Sequence, residues 1–127
     1  MITLPTAKEL GIKNRLDYKQ SIYAGAKYMN RLMQYVPKEI TNEVDRYKFA
    51  LAAYNIGLGH LKDAIKLGKM QSIDPYIWVN MKILLPLLSQ PKYYKQLQYG
   101  YARGNEPVKY VTQITNYYQI LNNYEAK

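Results

Sequence analysis

Cysteine is absent from the chain, which excludes disulfides and thiolate metal sites. The single histidine, His60, is too little for a histidine-rich metal site. No metal and no cofactor is therefore expected. Acidic residues are scarce, nine against 18 Lys and Arg, for a net charge of +9. Long apolar runs are missing too: none approaches the roughly 20 residues that cross a bilayer, so no membrane segment is expected. Met1-Ile2-Thr3-Leu4-Pro5 has neither a basic n-region nor an apolar h-region, so it does not read as a signal peptide. As written, the chain is expected to stay in the cytosol. Phenylalanine and tryptophan occur once each.

What is present fits one soluble globular domain. The 127 residues are 48% apolar and 21% charged, a balance that sustains a modest core. The basic surplus favours an anionic partner such as nucleic acid, anionic lipid or an acidic wall polymer. A solvated basic surface explains it equally well. Arginine is sparse (Arg15, Arg31, Arg46, Arg103) and no basic helix face recurs, which argues against nucleic-acid readout. Fifteen tyrosines must supply most of the aromatic core, and each buried hydroxyl then needs a partner. Oligomeric state is left open.

The patterning is helical throughout, without strand alternation or repeats. Pro5-Thr6 reads as the start of a short turn closed by Gly11. Asp17 with Gln20 resembles a capping box, and Ile22, Gly25, Met29, Leu32, Met33 and Val36 follow as a helical stripe up to Pro37. A second helix starts near Asn42 and runs through Phe49, Ala50, Ala52 and Ala53 to Tyr54. Its alanines favour helix and suit a tightly packed central position. Gly57 and Gly59 are expected to end it. A short helix from His60 to Leu67 is expected to close at Gly68. Asp74-Pro75 reads as an N-cap followed by an N1 proline, with Trp78, Met81, Leu84 and Leu85 behind it and Pro86 as a kink or stop. After a loop from Gly100 to Gly104, a last helix begins at Asn105-Glu106-Pro107, with Val108, Val111, Ile114, Tyr118 and Leu121 as its buried face. The sum is an all-α domain of five to seven helices.

One stretch suggests a ligand site. In Ala52-Ala53-Tyr54-Asn55-Ile56-Gly57-Leu58-Gly59, small residues lead to two polar side chains at a helix end. Asn55 offers an amide and a carbonyl for hydroxyl or N-acetyl groups. On its own grammar it reads more simply as a helix C-terminal residue tolerating left-handed geometry.

Leu51-Ala52-Ala53-Tyr54-Asn55-Ile56-Gly57 resembles the Ala-Tyr-Asn-x-Gly motif of soluble-type lytic transglycosylases. Thr6-Ala7-Lys8-Glu9-Leu10-Gly11 resembles the segment after that family's Gly-Leu-Met motif, and Glu106-Pro107-Val108-Lys109-Tyr110-Val111 its late Glu-x-x-x-Tyr-Val motif. Leu85-Pro86-Leu87-Leu88 and Tyr99-Gly100-Tyr101-Ala102-Arg103-Gly104 narrow the resemblance to the membrane-bound F type. The motifs occur in family order over nearly the whole chain. The resemblance implies a lysozyme-like helical fold, truncated at its N-terminus, with residues 1–127 as a partial transglycosylase domain. It implies peptidoglycan glycan strands as partner, and cleavage of the MurNAc-GlcNAc β-1,4 bond with closure of a 1,6-anhydro ring. Tyr54, Asn55 and Tyr110 are its implied substrate-binding residues. The full-length F type carries a secretory signal and a solute-binding-like domain, and is placed in the periplasm at the outer membrane.

The family's catalytic acid is the Glu of a Glu-Ser motif upstream of Gly-Leu-Met. Met1 aligns with the end of Gly-Leu-Met, so that Glu and its helix are expected to be missing, and no catalytic residue is assigned. Such an acid must stay protonated near neutral pH, which requires an apolar pocket. None of Glu9, Asp17, Glu39, Glu43, Asp45, Asp63, Asp74, Glu106 and Glu125 has apolar flanks. The chain alone is thus expected to be inactive. The rival is a non-catalytic helical module that binds glycan or a partner. If the missing helix packs on the alanine face of residues 49–54, its loss is expected to expose apolar surface. Tyr93, Tyr94, Tyr99 and Tyr101 are expected mainly to pack, and His60 to lie at the surface.

Overall fold

The computed structural model describes residues 18–125, and side chains from Lys27 to Tyr117 together with that of Gln119. Six α-helices and one 3-10 helix make up the described residues, with no strand. They are α1 Tyr18–Tyr35, α2 Glu43–Ile56, α3 Leu58–Met70, α4 Trp78–Leu84, the 3-10 helix Leu85–Ser89, α5 Pro91–Tyr94 and α6 Asn105–Glu125. The chain divides into two units at Tyr35, with α1 in the first and everything from Val36 onward in the second. The expected turn at Pro5–Gly11 and the capping box at Asp17 lie outside the described residues.

In the second unit, α2 is the central helix. Asn42 caps it: its Oδ1 accepts from the Asp45 N–H at 2.9 Å, satisfying one of the free amides of the first turn. Arg46 ties down the preceding loop. Its Nη1 donates to the carbonyls of Pro37 and Ile40 at 2.9 and 3.0 Å. Phe49, Ala50 and Ala52 have no accessible surface and Ala53 only 2%. The alanine face expected to lie open is therefore covered. Its small side chains let α6 pack closely along α2, and α3 and α4 complete the surround. Phe49 meets Trp78 edge to face, centroids 5.6 Å apart. Burying a side chain of this size contributes about 1.5–3 kcal/mol.

Two helix ends differ from the sequence reading. Gly68 does not close α3, which continues to Met70. Gly68 is needed inside the helix because a Cβ there would come within 2.8 Å of both Leu84 and Pro75. The end is built two residues later: the Ile73 N–H donates to the Gly68 carbonyl at 2.8 Å, the six-to-one bond of a Schellman closure. The left-handed residue in that closure is Ser72, φ 59°. Likewise Asp74 caps no helix. Its Oδ1 accepts from the Tyr76 N–H at 2.9 Å, an Asx turn. Helix α4 starts at Trp78, whose N–H donates at 3.0 Å to the Asp45 carboxylate, 33 residues back. At Pro86 the α-helix gives way to the 3-10 helix, a break of the kind expected of that proline.

A non-glycine residue held in the left-handed region carries about 1–2 kcal/mol of strain. Ser72→Gly is therefore expected to stabilise the chain by about 1 kcal/mol, read as a higher urea midpoint at unchanged slope.

Candidate functional site

The Tyr54-Asn55 stretch ends α2. Gly57 then takes φ 99° with no atom within 4 Å of a would-be Cβ. Its role is thus conformational: it turns the chain from α2 directly into α3 in one residue. Its N–H donates to the Ala53 carbonyl at 2.8 Å and its carbonyl accepts from the Leu61 N–H at 3.2 Å. Asn55 is not left-handed, because Ser72 is the one non-glycine residue with positive φ among the described residues. The plain capping explanation for Asn55 therefore fails, and its side chain is exposed.

Gly59 does not end α2 as expected. It lies within α3, where ring atoms of Tyr99 come within 3.0 Å of a would-be Cβ. Tyr99 also meets the His60 ring edge-on, centroids 6.2 Å apart. These contacts depend on Asp63. Its side chain is buried, 3% exposed, and its carboxylate accepts from the Tyr99 N–H at 2.8 Å and the Gln98 N–H at 3.3 Å. A buried carboxylate is tolerable only with such donors. The following loop is pinned twice more. The Ala102 N–H donates to the Leu88 carbonyl at 3.1 Å. Gly104 lies so close to the Leu85 carbonyl that no Cβ fits.

The pinned loop and the α2–α3 junction face each other across an open cleft of about 590 Å³. Asn55, Ile56, His60, Tyr101, Ala102, Arg103 and Glu106 line it. Tyr54 and Tyr110 are brought together beside it, rings stacked 13° from parallel with centroids 6.2 Å apart, but neither lines it. Of the three residues expected to bind substrate, Asn55 alone is on the wall. The other two are half-buried and join α2 to α6 behind it. Tyr101 lines the cleft and meets Tyr94 edge-on at 5.8 Å. His60, expected at the surface, is half-buried with its Nδ1 fully enclosed and unpartnered. No sequence pattern distinguishes that nitrogen, and the ring that meets His60 edge-on comes from a tyrosine 39 residues downstream.

No group of three or more His, Asp or Glu among the described residues is placed to hold a metal ion. No helix among the described residues is long and apolar enough to cross a membrane.

The Transglycosylase SLT domain family model matches residues 1–77. The chain is 55% identical over 121 residues to the membrane-bound lytic murein transglycosylase F of Shewanella halifaxensis (strain HAW-EB4), covering 95% of this chain and 25% of the relative. It is 54% identical to the protein of that name from Hahella chejuensis (strain KCTC 2396), over 95% of this chain and 24% of the relative. For Aliivibrio fischeri (strain ATCC 700601 / ES114) the identity is 50% over the whole chain and 26% of the relative. The chain thus spans about a quarter of the length of the curated relatives it matches.

Asp63→Ala is expected to cost about 2–3 kcal/mol, since it leaves two amides without their charged acceptor. Amide exchange checks the cause: the Gln98 and Tyr99 N–H groups should lose protection selectively.

Proposed function

The chain belongs to the Transglycosylase SLT family, all-α and lysozyme-like, and on that premise we propose that residues 1–127 are part of a peptidoglycan lytic transglycosylase domain. They supply one wall of its glycan cleft. Asn55 hydrogen-bonds hydroxyl or N-acetyl groups of the strand, and the Tyr54–Tyr110 pair sets the depth of that wall. The observation that carries this reading is Asn55 exposed on the wall of the cleft, in the motif through which the chain resembles the family.

The reaction protonates a glycosidic oxygen and closes a 1,6-anhydro ring from the sugar's own 6-hydroxyl. We place its acid outside the nine carboxylates of this sequence. The local geometry supports this. Asp45, Asp63 and Asp74 are each engaged by backbone amides within the fold. Glu106 is exposed at the start of α6, whereas an acid of this kind needs an apolar pocket. The site of action in this reading is the cell wall, in keeping with the words "membrane-bound" and "murein" in the relatives' names.

Binding of N-acetylated β-1,4 glycan oligomers tests the proposal. Asn55→Ala should weaken binding roughly fivefold, the loss of about one net hydrogen bond. Equal affinities would remove Asn55 from the site. Incubation of purified sacculi with this chain should release no 1,6-anhydromuropeptides, and their appearance would overturn the placement of the acid.

A further inference from the structure

Tyr99 is attached to α3 at two points one helical turn apart. Its backbone N–H donates to the Asp63 carboxylate at 2.8 Å. Its ring lies against the first turn of the same helix. The ring carbons Cε1 and Cζ come within 3.0 Å, and Cδ1 within 3.1 Å, of a would-be Cβ at Gly59. The ring also meets His60 edge-on, centroids 6.2 Å apart. Gly59 and His60 precede Asp63 by four and three residues, so the three share one face of α3. Glycine is a poor choice for a helix by propensity alone. The close approach of the Tyr99 ring accounts for it at residue 59.

A single latch fixes where a chain passes but not the direction in which it leaves. That direction is open here, because the next residue is Gly100, at φ 71° with no atom within 4 Å of a would-be Cβ. Glycine takes either sign of φ at little cost, so the backbone itself does not steer the chain at this point. Yet the residues that follow are the loop wall of the cleft: Tyr101, Ala102 and Arg103 line it. Tyr101 is 54% exposed, so burial holds it only in part. The second attachment of Tyr99, through its ring, supplies the direction that the Asp63 latch leaves free.

We propose that Tyr99 is a positioning residue for the cleft: its ring, braced on Gly59 and His60, sets the angle at which the loop leaves α3 and so holds Tyr101 and Arg103 across from Asn55. This rests on the glycan reading above only for the ligand used to measure it. The brace also serves the other wall, since His60 lines the cleft and has the Tyr99 ring against its own.

The test compares four variants of the chain of residues 1–127 by amide NMR and by binding of an N-acetylglucosamine oligomer. Tyr99→Phe keeps all three contacting ring carbons and should match the unaltered chain in both. Tyr99→Ala should keep the slow amide exchange of positions 98 and 99, which Asp63 holds, but shift and broaden the amides of Tyr101, Ala102 and Arg103. Its affinity should fall about fivefold. In Gly59→Ala the ring, 49% exposed, is free to yield outward. Binding should weaken by a similar factor while the thermal midpoint does not fall, because alanine is the better helix former. Lost affinity at undiminished stability is an outcome that a purely structural role does not give. In the double variant Gly59→Ala with Tyr99→Ala, the added methyl no longer meets the ring, so affinity should equal that of Tyr99→Ala alone. Additive losses would overturn the inference, as would unshifted, sharp amides at 101–103 in Tyr99→Ala. Lost protection at positions 98 and 99 in that variant would also overturn it, since the ring would then be part of the latch and not a separate brace. Absence of oligomer binding by the unaltered chain would defeat the glycan reading, and the amide spectra would then decide the role of Tyr99 by themselves.

Discussion

A single buried carboxylate organises the functional face of this chain. Asp63 sits in α3 at 3% exposure and holds two consecutive amides of a segment 35 and 36 residues downstream. A buried carboxyl group in that position is tolerable only if its donors stay in place. It therefore selects one conformation of the loop after α5 over the alternatives. Tyr99 is brought onto Gly59 and His60, and the chain beyond it is delivered to Leu88 and Leu85. The cleft exists because this loop is held at a fixed distance from the α2–α3 junction. The facing wall begins at the sharp exit from α2, which depends on the positive φ of Gly57.

Where the local chemistry has one solution, the sequence already states the fold. A helix start near Asn42 is read from the pattern, and in the structure Asn42 is its N-cap. The Ala-rich run of α2 and Pro86 are equally direct. The misreadings share a physical cause. Gly59, Gly68 and Asp74 are residue types with two uses, and the sequence reading chose the local one. Gly59 and Gly68 are glycine because a side chain from elsewhere occupies the place of a Cβ. Asp74 turns the chain instead of starting a helix, because Asp45 from another helix already serves the first amide of α4. Close approach and long-range capping depend on the partner, and the partner is not in the window.

The candidate site divides along the same line. Asn55 is legible as a polar residue at a helix end, and the family motif singles it out. Tyr54 and Tyr110 are named together by resemblance, and the structure stacks their rings against each other while neither lines the cleft. Arg103, Glu106 and His60 are joined by no spacing in the string; only the fold brings the three into one cleft.

The acid inventory has a wider consequence. Three of the four aspartates are spent on backbone amides, at Tyr76, at Trp78 and at Gln98–Tyr99. Each closes a turn or a helix end that a basic, acid-poor chain has few other means to close. With nine acidic residues in 127, such contacts are few, and those of Asp63 bear on the cleft directly because they hold the segment that leads into Tyr101 and Arg103.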